Sequence, residues 1–120
     1  MNIAVFADVH GHILLALRLC ARWQRQTGEQ IDLILQAGDM GVFSSMDRVD
    51  EATLRHAKED PCELGFLTDF RERDAEPLVP KTLAELACKL VFVRGNHEDQ
   101  EWLDDHERAA REPIFPVDAY

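Results

Sequence analysis

The stretch Ile3-Ala-Val-Phe-Ala-Asp-Val-His-Gly-His12 carries most of the information about the fold. Its first half, residues 3–7, is a continuous apolar run, which is typical of a strand buried on both faces of a parallel sheet. Apolar residues at helical spacing follow the stretch as far as Gly28, a residue type that commonly caps a helix C-terminus. The pattern therefore predicts a strand, a polar loop and a helix, which together form the first unit of an α/β fold.

The rest of the chain repeats this order. Residues 31–37 (IDLILQA) and 90–93 (LVFV) are apolar runs that predict two further buried strands. Residues 113–117 (PIFPV) predict the start of another strand. Helical patterns occupy residues 47–59, 81–87 and 99–111. This order predicts an α/β fold in which a parallel or mixed β-sheet is flanked by helices.

Residues 41–80 form the irregular part of the sequence. This region is charged, contains prolines, and is long for a simple crossover between strands. We therefore expect an inserted cap or lid that shapes access to any site at the sheet edge.

The overall composition restricts the classes of function. The chain has 120 residues, enough for one domain, and a formal net charge of −10. This acidity disfavours nonspecific binding to nucleic acid, which requires a basic surface, and docking to an anionic membrane. The N-terminal apolar run is too short for a signal peptide and no later run could span a bilayer, so we expect a cytoplasmic protein.

The three cysteines, Cys20, Cys62 and Cys88, have unrelated spacings. They predict neither a disulfide framework nor a CxxC metal site. The sequence therefore favours free thiols in a reducing compartment.

Polar side chains follow each of the three predicted strands. Asp8 and His10 follow the first strand, Asp39 follows the second, and Asn96 and His97 follow the third. Because the carboxyl ends of parallel strands meet at one edge of a sheet, we expect these side chains to converge. Two carboxylates held close together require a shared proton or a cation. Oxygen and nitrogen donors without a thiolate fit manganese, iron, zinc or nickel, and a shared carboxylate is typical of two-metal phosphoryl chemistry.

Each cluster taken alone also has an ordinary structural interpretation. An aspartate at a strand end can cap a helix, a histidine can be structural, and an asparagine can belong to a turn. The joint occurrence of complementary ligand types at three successive strand ends favours a functional site. The glycines at the same points, Gly11, Gly38 and Gly95, are expected to provide positive φ angles or close backbone approach.

The blocks DVHG (8–11), GDMG (38–41) and GNHE (95–98) resemble the first three motifs of the calcineurin-like metallophosphoesterases. The resemblance covers about residues 1–105. It implies the N-terminal half of an αββα sandwich. It also implies hydrolysis of a phosphomonoester or phosphodiester by a dinuclear metal centre, with metal-bound hydroxide as the nucleophile.

The resemblance also implies a role for each matching residue. Asp8 and His10 would bind the first metal, Asp39 would bridge both metals, and Asn96 would bind the second. His97 would lie near the phosphate, as proton donor to the leaving group or as a stabiliser of the transition state.

Two neighbours of these motifs are assigned differently. His12 begins a helix beside the site, and we expect it to cap that helix or to face the substrate. Glu98 is expected to orient its neighbours rather than to bind metal.

Departures from the motifs narrow the choice of branch. GDMGVFSS lacks the Asp-Arg-Gly that follows the matching Gly-Asp in protein serine/threonine phosphatases, which disfavours that branch. The charged stretch between Gly41 and Leu90 loosely resembles the RNA lariat debranching branch, which usually has Cys where this chain has Asp8. An RNA debranching-like phosphodiesterase therefore remains an alternative that concerns only the identity of the substrate. We accordingly expect nucleic acid to bind only as a substrate.

The family also requires later metal-binding blocks: a lone histidine, then a Gly-His-x-His-like element. Nothing after Pro113 supplies them. We therefore expect residues 1–120 to be a truncated metallophosphoesterase domain, with weak metal binding and little activity unless another chain completes the site. An alternative from a different functional class is a non-catalytic binding or regulatory module on the same fold.

Overall fold

Three parallel strands form the centre of the protein. A computed structural model describes residues 1–71, 78–112 and 114. The strands are β1 (Ile3–Phe6), β2 (Leu33–Ala37) and β3 (Lys89–Val93). They lie in the order β1-β2-β3, and both neighbouring pairs are parallel. This confirms the predicted sheet, which is parallel rather than mixed over the described residues.

Four α-helices accompany the sheet in the described residues. They are α1 (Ile13–Thr27), α2 (Glu51–Ala57), α3 (Leu78–Leu86) and α4 (Gln100–Ala109). Short 3-10 helices span Met46–Arg48 and Pro61–Leu64, and a π-helical turn spans Phe66–Arg71. None of the described helices has the length and hydropathy needed to cross a membrane.

Helix α1 agrees with the sequence pattern. It ends at Gly28, whose φ of 74° is left-handed, as a glycine C-cap requires. The buried side chains of α1 recur every three or four residues and face the sheet. They are Ile13, Ala16, Leu17 and Cys20.

Helix α3 begins earlier than its predicted start at residue 81. Its first turn contains Pro80, which is buried. Proline is tolerated in the first turn of a helix because the N–H groups there have no intrahelical partner. One of the prolines of the 41–80 region therefore lies inside a helix.

The core lies on one face of the sheet. The paired strands place Ala4, Ile34 and Leu90 side by side on that face, with Phe6 and Phe92 one step along. All five belong to the core cluster or pack against it, together with side chains of α1, α3 and α4. The predicted fold class, an α/β sheet flanked by helices, is confirmed, and it fits the N-terminal half of the implied sandwich.

The opposite sheet face is apolar and open. Ile3 is 46% exposed, Val5 66% and Val93 65%. The prediction that the first strand is buried on both faces is therefore wrong for the described residues. The physical reason is that the strand side chains in the described core all come from the other face.

The region 41–80 is described except for residues 72–77. The helix predicted at 47–59 is shorter, and Asp50 caps its N-terminus by accepting a hydrogen bond from the Thr53 N–H. Val42, Phe43 and Phe66 are buried, so parts of this region pack with the domain. Its interpretation as an inserted lid stays a prediction. The strand predicted at 113–117 lies outside the described residues, apart from Ile114.

Candidate metal centre

Backbone hydrogen bonds join the loops that follow β1 and β2. The Asp8 N–H donates to the Gly38 carbonyl at 3.0 Å, and the His10 N–H donates to the Asp39 carbonyl at 3.0 Å. The pairing of the two parallel strands thus continues into their polar ends. It brings the two loops, which are separated in sequence by α1, side by side.

Asp8, His10 and Asp39 converge as a result. One ligand atom from each lies within 4.8 Å of the others. Two carboxylates and an imidazole form a hard, oxygen- and nitrogen-rich donor set, which suits a divalent first-row metal. The residues present therefore fit the metal centre that the sequence implied.

The backbone at these three residues is unusual. Asp8, His10 and Asp39 have positive φ angles of 49°, 42° and 51°. Only one other non-glycine residue among those described, Ala87, has a positive φ. Left-handed backbone at residues with a side chain costs free energy and tends to collect at functional sites. The backbone conformation therefore singles out the same three residues.

The third strand end packs directly against Asp39. The His97 N–H donates to Asp39 Oδ1 at 2.9 Å. A Cβ atom at Gly95 would lie 2.0 Å from the same oxygen, closer than any side chain can approach. The expectation that Gly95 provides close backbone approach is therefore confirmed. Asn96 lies between these two residues and is exposed.

His97 lies beside the centre and has an acidic partner. Its ring centroid is 5.4 Å from that of His10. Its Nδ1 lies 3.3 Å from Asp50 Oδ2. Burial alone would raise the pKa of Asp50, but hydrogen bonds from Thr53 and His97 hold this pKa below its usual range. The carboxylate that faces His97 is therefore anionic.

Sequence reasoning missed Asp50. Its local pattern, an aspartate three residues before Thr53 at a helix start, marks it only as a helix N-cap. It is an N-cap in the structure as well, and the contact with His97 spans 47 residues of sequence. No local signal distinguishes an N-cap that also faces a histidine from one that does not.

Glu98 holds the loop after β2 in place. It is 6% exposed, and its carboxylate accepts hydrogen bonds from the backbone N–H groups of Met40, Gly41 and Val42. Burial raises the pKa of Glu98, while these N–H groups oppose that rise because they favour the charged form. The side chain is thus occupied with the backbone and positions the segment that carries Asp39.

Asp99 ties the third strand end to the region after residue 41. Its carboxylate caps α4 by accepting from the Trp102 N–H, and it also binds the Ser44 hydroxyl and the Arg48 guanidinium. Burial would raise the pKa of Asp99, but Arg48, Ser44 and Trp102 outweigh it and lower the pKa. Asp99 therefore holds the start of α4 against the segment that contains Ser44 and Arg48.

The ring of His12 contacts Asp60 and the backbone of the turn after β1. Its Nε2 lies 2.8 Å from Asp60 Oδ2, and its Nδ1 lies near two backbone carbonyls. The expectation that His12 contacts substrate stays a prediction, as do the metal-binding roles of Asp8, His10, Asp39 and Asn96.

Comparison with known proteins adds one match. A family model described as calcineurin-like phosphoesterase matches residues 1–119. A search of curated proteins finds no match to this chain.

Proposed function

Because this chain belongs to the calcineurin-like phosphoesterase family, we propose that it hydrolyses a phosphate ester at the edge of its sheet. Metal-dependent hydrolysis of phosphoesters is the general chemistry of that family. The observation that carries the proposal is the convergence of Asp8, His10 and Asp39, whose ligand atoms lie within 4.8 Å of one another.

The proposed centre takes two divalent cations, held by Asp8, His10, Asp39 and Asn96. The oxygen and nitrogen donors favour manganese, iron, zinc or nickel. When bound, such ions supply Lewis-acid charge to a phosphoryl oxygen and activate water at neutral pH. Asp39 is the shared ligand in this proposal because it lies between the first and third strand ends.

The orientation of Asp39 supports that role. Its Oδ1 accepts the His97 N–H at 2.9 Å, which restricts rotation of the carboxylate. The other oxygen then has a defined direction. A preoriented ligand avoids the entropy cost of ordering when a cation binds.

His97 is the proposed proton donor to the leaving group. A carboxylate can only accept, so the contact with Asp50 requires the proton on His97 Nδ1. This leaves Nε2 as the ring nitrogen available to a substrate oxygen. The His97 side chain is 31% exposed, so a substrate can reach it.

An activity assay tests the proposal with an isosteric pair of variants. The chain is loaded with Mn²⁺ and assayed with p-nitrophenyl phosphate and bis-p-nitrophenyl phosphate. Asp39→Asn should reduce turnover by at least on the order of 100-fold and lower the metal content, because it weakens a charged ligand. Asp105→Asn makes the same change on a side chain that is 72% exposed on α4 and should leave both unchanged.

The outcomes separate an enzyme from a binding module. Loss of metal and activity together in Asp39→Asn supports the proposal. Binding of two metal ions per chain with no hydrolysis of either ester contradicts it and favours the non-catalytic alternative. A stoichiometry of one metal per chain would contradict the dinuclear part of the proposal.

A further inference from the structure

A second cluster of metal-binding side chains lies outside the centre described above. It consists of His12, which precedes α1, and of Asp60 and Cys62 at the start of the 3-10 helix Pro61–Leu64. One ligand atom from each of the three lies within 4.8 Å of the others. The cluster contains a thiol, which the first centre lacks.

The backbone holds the two halves of this cluster together. Gly11, adjacent to His12, has a φ of 81°, and a Cβ atom there would lie 2.3 Å from the Glu63 carbonyl oxygen. The segment that carries Asp60 and Cys62 therefore rests directly on the turn that carries His12. The three side chains meet because of this backbone contact.

The hydrogen bonds of His12 decide which nitrogen is available. Its Nδ1 lies 3.0 Å from the Val9 carbonyl and 3.1 Å from the His10 carbonyl. Both oxygens are acceptors, so Nδ1 carries the proton and donates. Metal-binding histidines generally donate their second ring N–H in this way, to a carbonyl or a carboxylate. Nε2 is thus the ring nitrogen that can bind a metal ion.

That nitrogen lies beside a carboxylate oxygen, since Nε2 is 2.8 Å from Asp60 Oδ2. Two of the donor types that zinc takes in proteins are therefore already adjacent. The other carboxylate oxygen, Oδ1, accepts the Cys62 N–H at 3.0 Å and fixes the carboxylate in this orientation.

We propose that His12, Asp60 and Cys62 form a separate zinc site with three protein ligands. Imidazole, carboxylate and thiolate are the three ligand types that zinc takes in proteins, and three protein ligands leave a fourth position open to solvent. Ligand atoms around one tetrahedral zinc ion are about 3.5 Å apart, so the His12–Asp60 contact opens slightly as the thiolate closes in. Cys62 is exposed. Binding displaces to solvent the thiol proton and any proton on His12 Nε2, because thiolate and neutral imidazole are the ligands.

Such a site would couple metal binding to the geometry of the first centre. His12 donates to the carbonyl of His10, a proposed ligand of that centre. A zinc ion on His12 would fasten the turn after β1 to the segment that begins at Asp60. The site is defined by its own three residues and does not depend on hydrolysis at the first centre.

Cobalt substitution tests the site with a readout that the first centre cannot produce. Co²⁺ bound to a thiolate gives a charge-transfer absorption that oxygen and nitrogen ligands do not give. We expect this absorption on titration of the unaltered chain with Co²⁺, its loss in Cys62→Ser, and its retention in Cys88→Ser. Asp39→Asn, which alters only the first centre, should also retain it.

Thiol reactivity gives a second measurement with internal references. Cys62 is exposed, Cys20 is buried and Cys88 is partly buried, so Cys62 should be the thiol that reacts fastest with an aromatic disulfide reagent. Zn²⁺ should slow this fast phase at least tenfold, and His12→Gln should raise the Zn²⁺ concentration required on the order of 10- to 100-fold.

Three outcomes would overturn the proposal. The first is the absence of thiolate-to-cobalt absorption in the unaltered chain. The second is its persistence in Cys62→Ser, which would place the thiolate ligand elsewhere. The third is a reactivity of Cys62 that Zn²⁺ does not change. A chain that shows the absorption but no phosphoesterase activity would uphold this site and contradict only the proposed function.

Discussion

Glu98 offers the sharpest test of how the three strand ends are held together. Its carboxylate is buried and accepts backbone N–H bonds from Met40 at 2.8 Å, Gly41 at 3.0 Å and Val42 at 2.6 Å. A longer bond of 3.4 Å comes from the Gly95 N–H. One side chain thus serves the segments after β2 and β3 together, and its removal should affect both.

The expected losses follow from the number of donors left without a partner. Glu98→Ala removes the acceptor of three buried N–H groups, each of which costs about 1–3 kcal/mol when unsatisfied. Water entering the vacated space can accept from some of these N–H groups. We therefore expect Glu98→Ala to lower the free energy of unfolding by about 3–5 kcal/mol. That is a large fraction of the roughly 5–15 kcal/mol that stabilises a typical domain.

Glu98→Gln is the more informative change because two effects oppose each other. The amide oxygen can keep the bonds from Gly41 and Val42, but the amide nitrogen then faces the Met40 N–H, donor against donor. The substitution also removes the cost of burying a charge, the effect that raises the pKa of Glu98. We expect the lost charge-assisted bond to prevail, with a net destabilisation of about 2–3 kcal/mol.

Urea unfolding followed by tryptophan fluorescence measures these differences. At an m value of about 2 kcal/mol per molar, Glu98→Gln should lower the midpoint by about 1–1.5 M. Glu107→Gln is the matched control, because its side chain is 65% exposed and pairs only at the surface with Arg94. A Glu98→Gln variant as stable as the control would refute the reasoning and show that the burial cost cancels the hydrogen bonds.

Three further substitutions test other contacts. Asp99→Asn should destabilise the fold by about 1–3 kcal/mol at neutral pH. The lowered pKa of Asp99 means that this contribution is present above the ordinary value of 3.8 and is lost as pH falls through the folded-state pKa, so melting curves of the two proteins should converge in acid. Gly95→Ala places a methyl group 2.0 Å from Asp39 Oδ1 and should weaken Mn²⁺ binding at least about tenfold by calorimetry; unchanged affinity would contradict the close approach. Asp50→Asn should lower kcat on the order of 10- to 100-fold at nearly constant KM, because His97 loses its charged partner, and an unchanged kcat would remove Asp50 from the mechanism.

The sequence predicted the sheet and the convergence of its polar ends because both depend on local patterns. An apolar run followed by Asp8 and His10 specifies a strand and its exit within a few residues. Parallel pairing then brings Asp39 to the same edge, since the carboxyl ends of parallel strands all lie at one edge of the sheet. The site could be anticipated from the fold for this reason.

Contacts between distant segments could not be anticipated in the same way. Asp50 meets His97 across 47 residues, and His12 meets Asp60 across 48. Both contacts depend on how the segments of the 41–80 region pack against the strand ends, which periodicity does not encode. The position of Cys62 in the sequence therefore gives no sign of a metal site. The folded chain nevertheless places Cys62 beside two other potential metal ligands, His12 and Asp60.

The open face of the sheet has a consequence for the behaviour of the chain in solution. Val5 and Val93 present an apolar surface, while the chain as a whole carries a net charge of −10. Attraction between such faces and repulsion between like-charged molecules therefore act against each other at close range. The repulsion extends over about 10 Å at 0.1 M salt and shortens as salt is added, whereas the attraction does not. We therefore expect self-association of this domain through the open sheet face to increase with salt concentration.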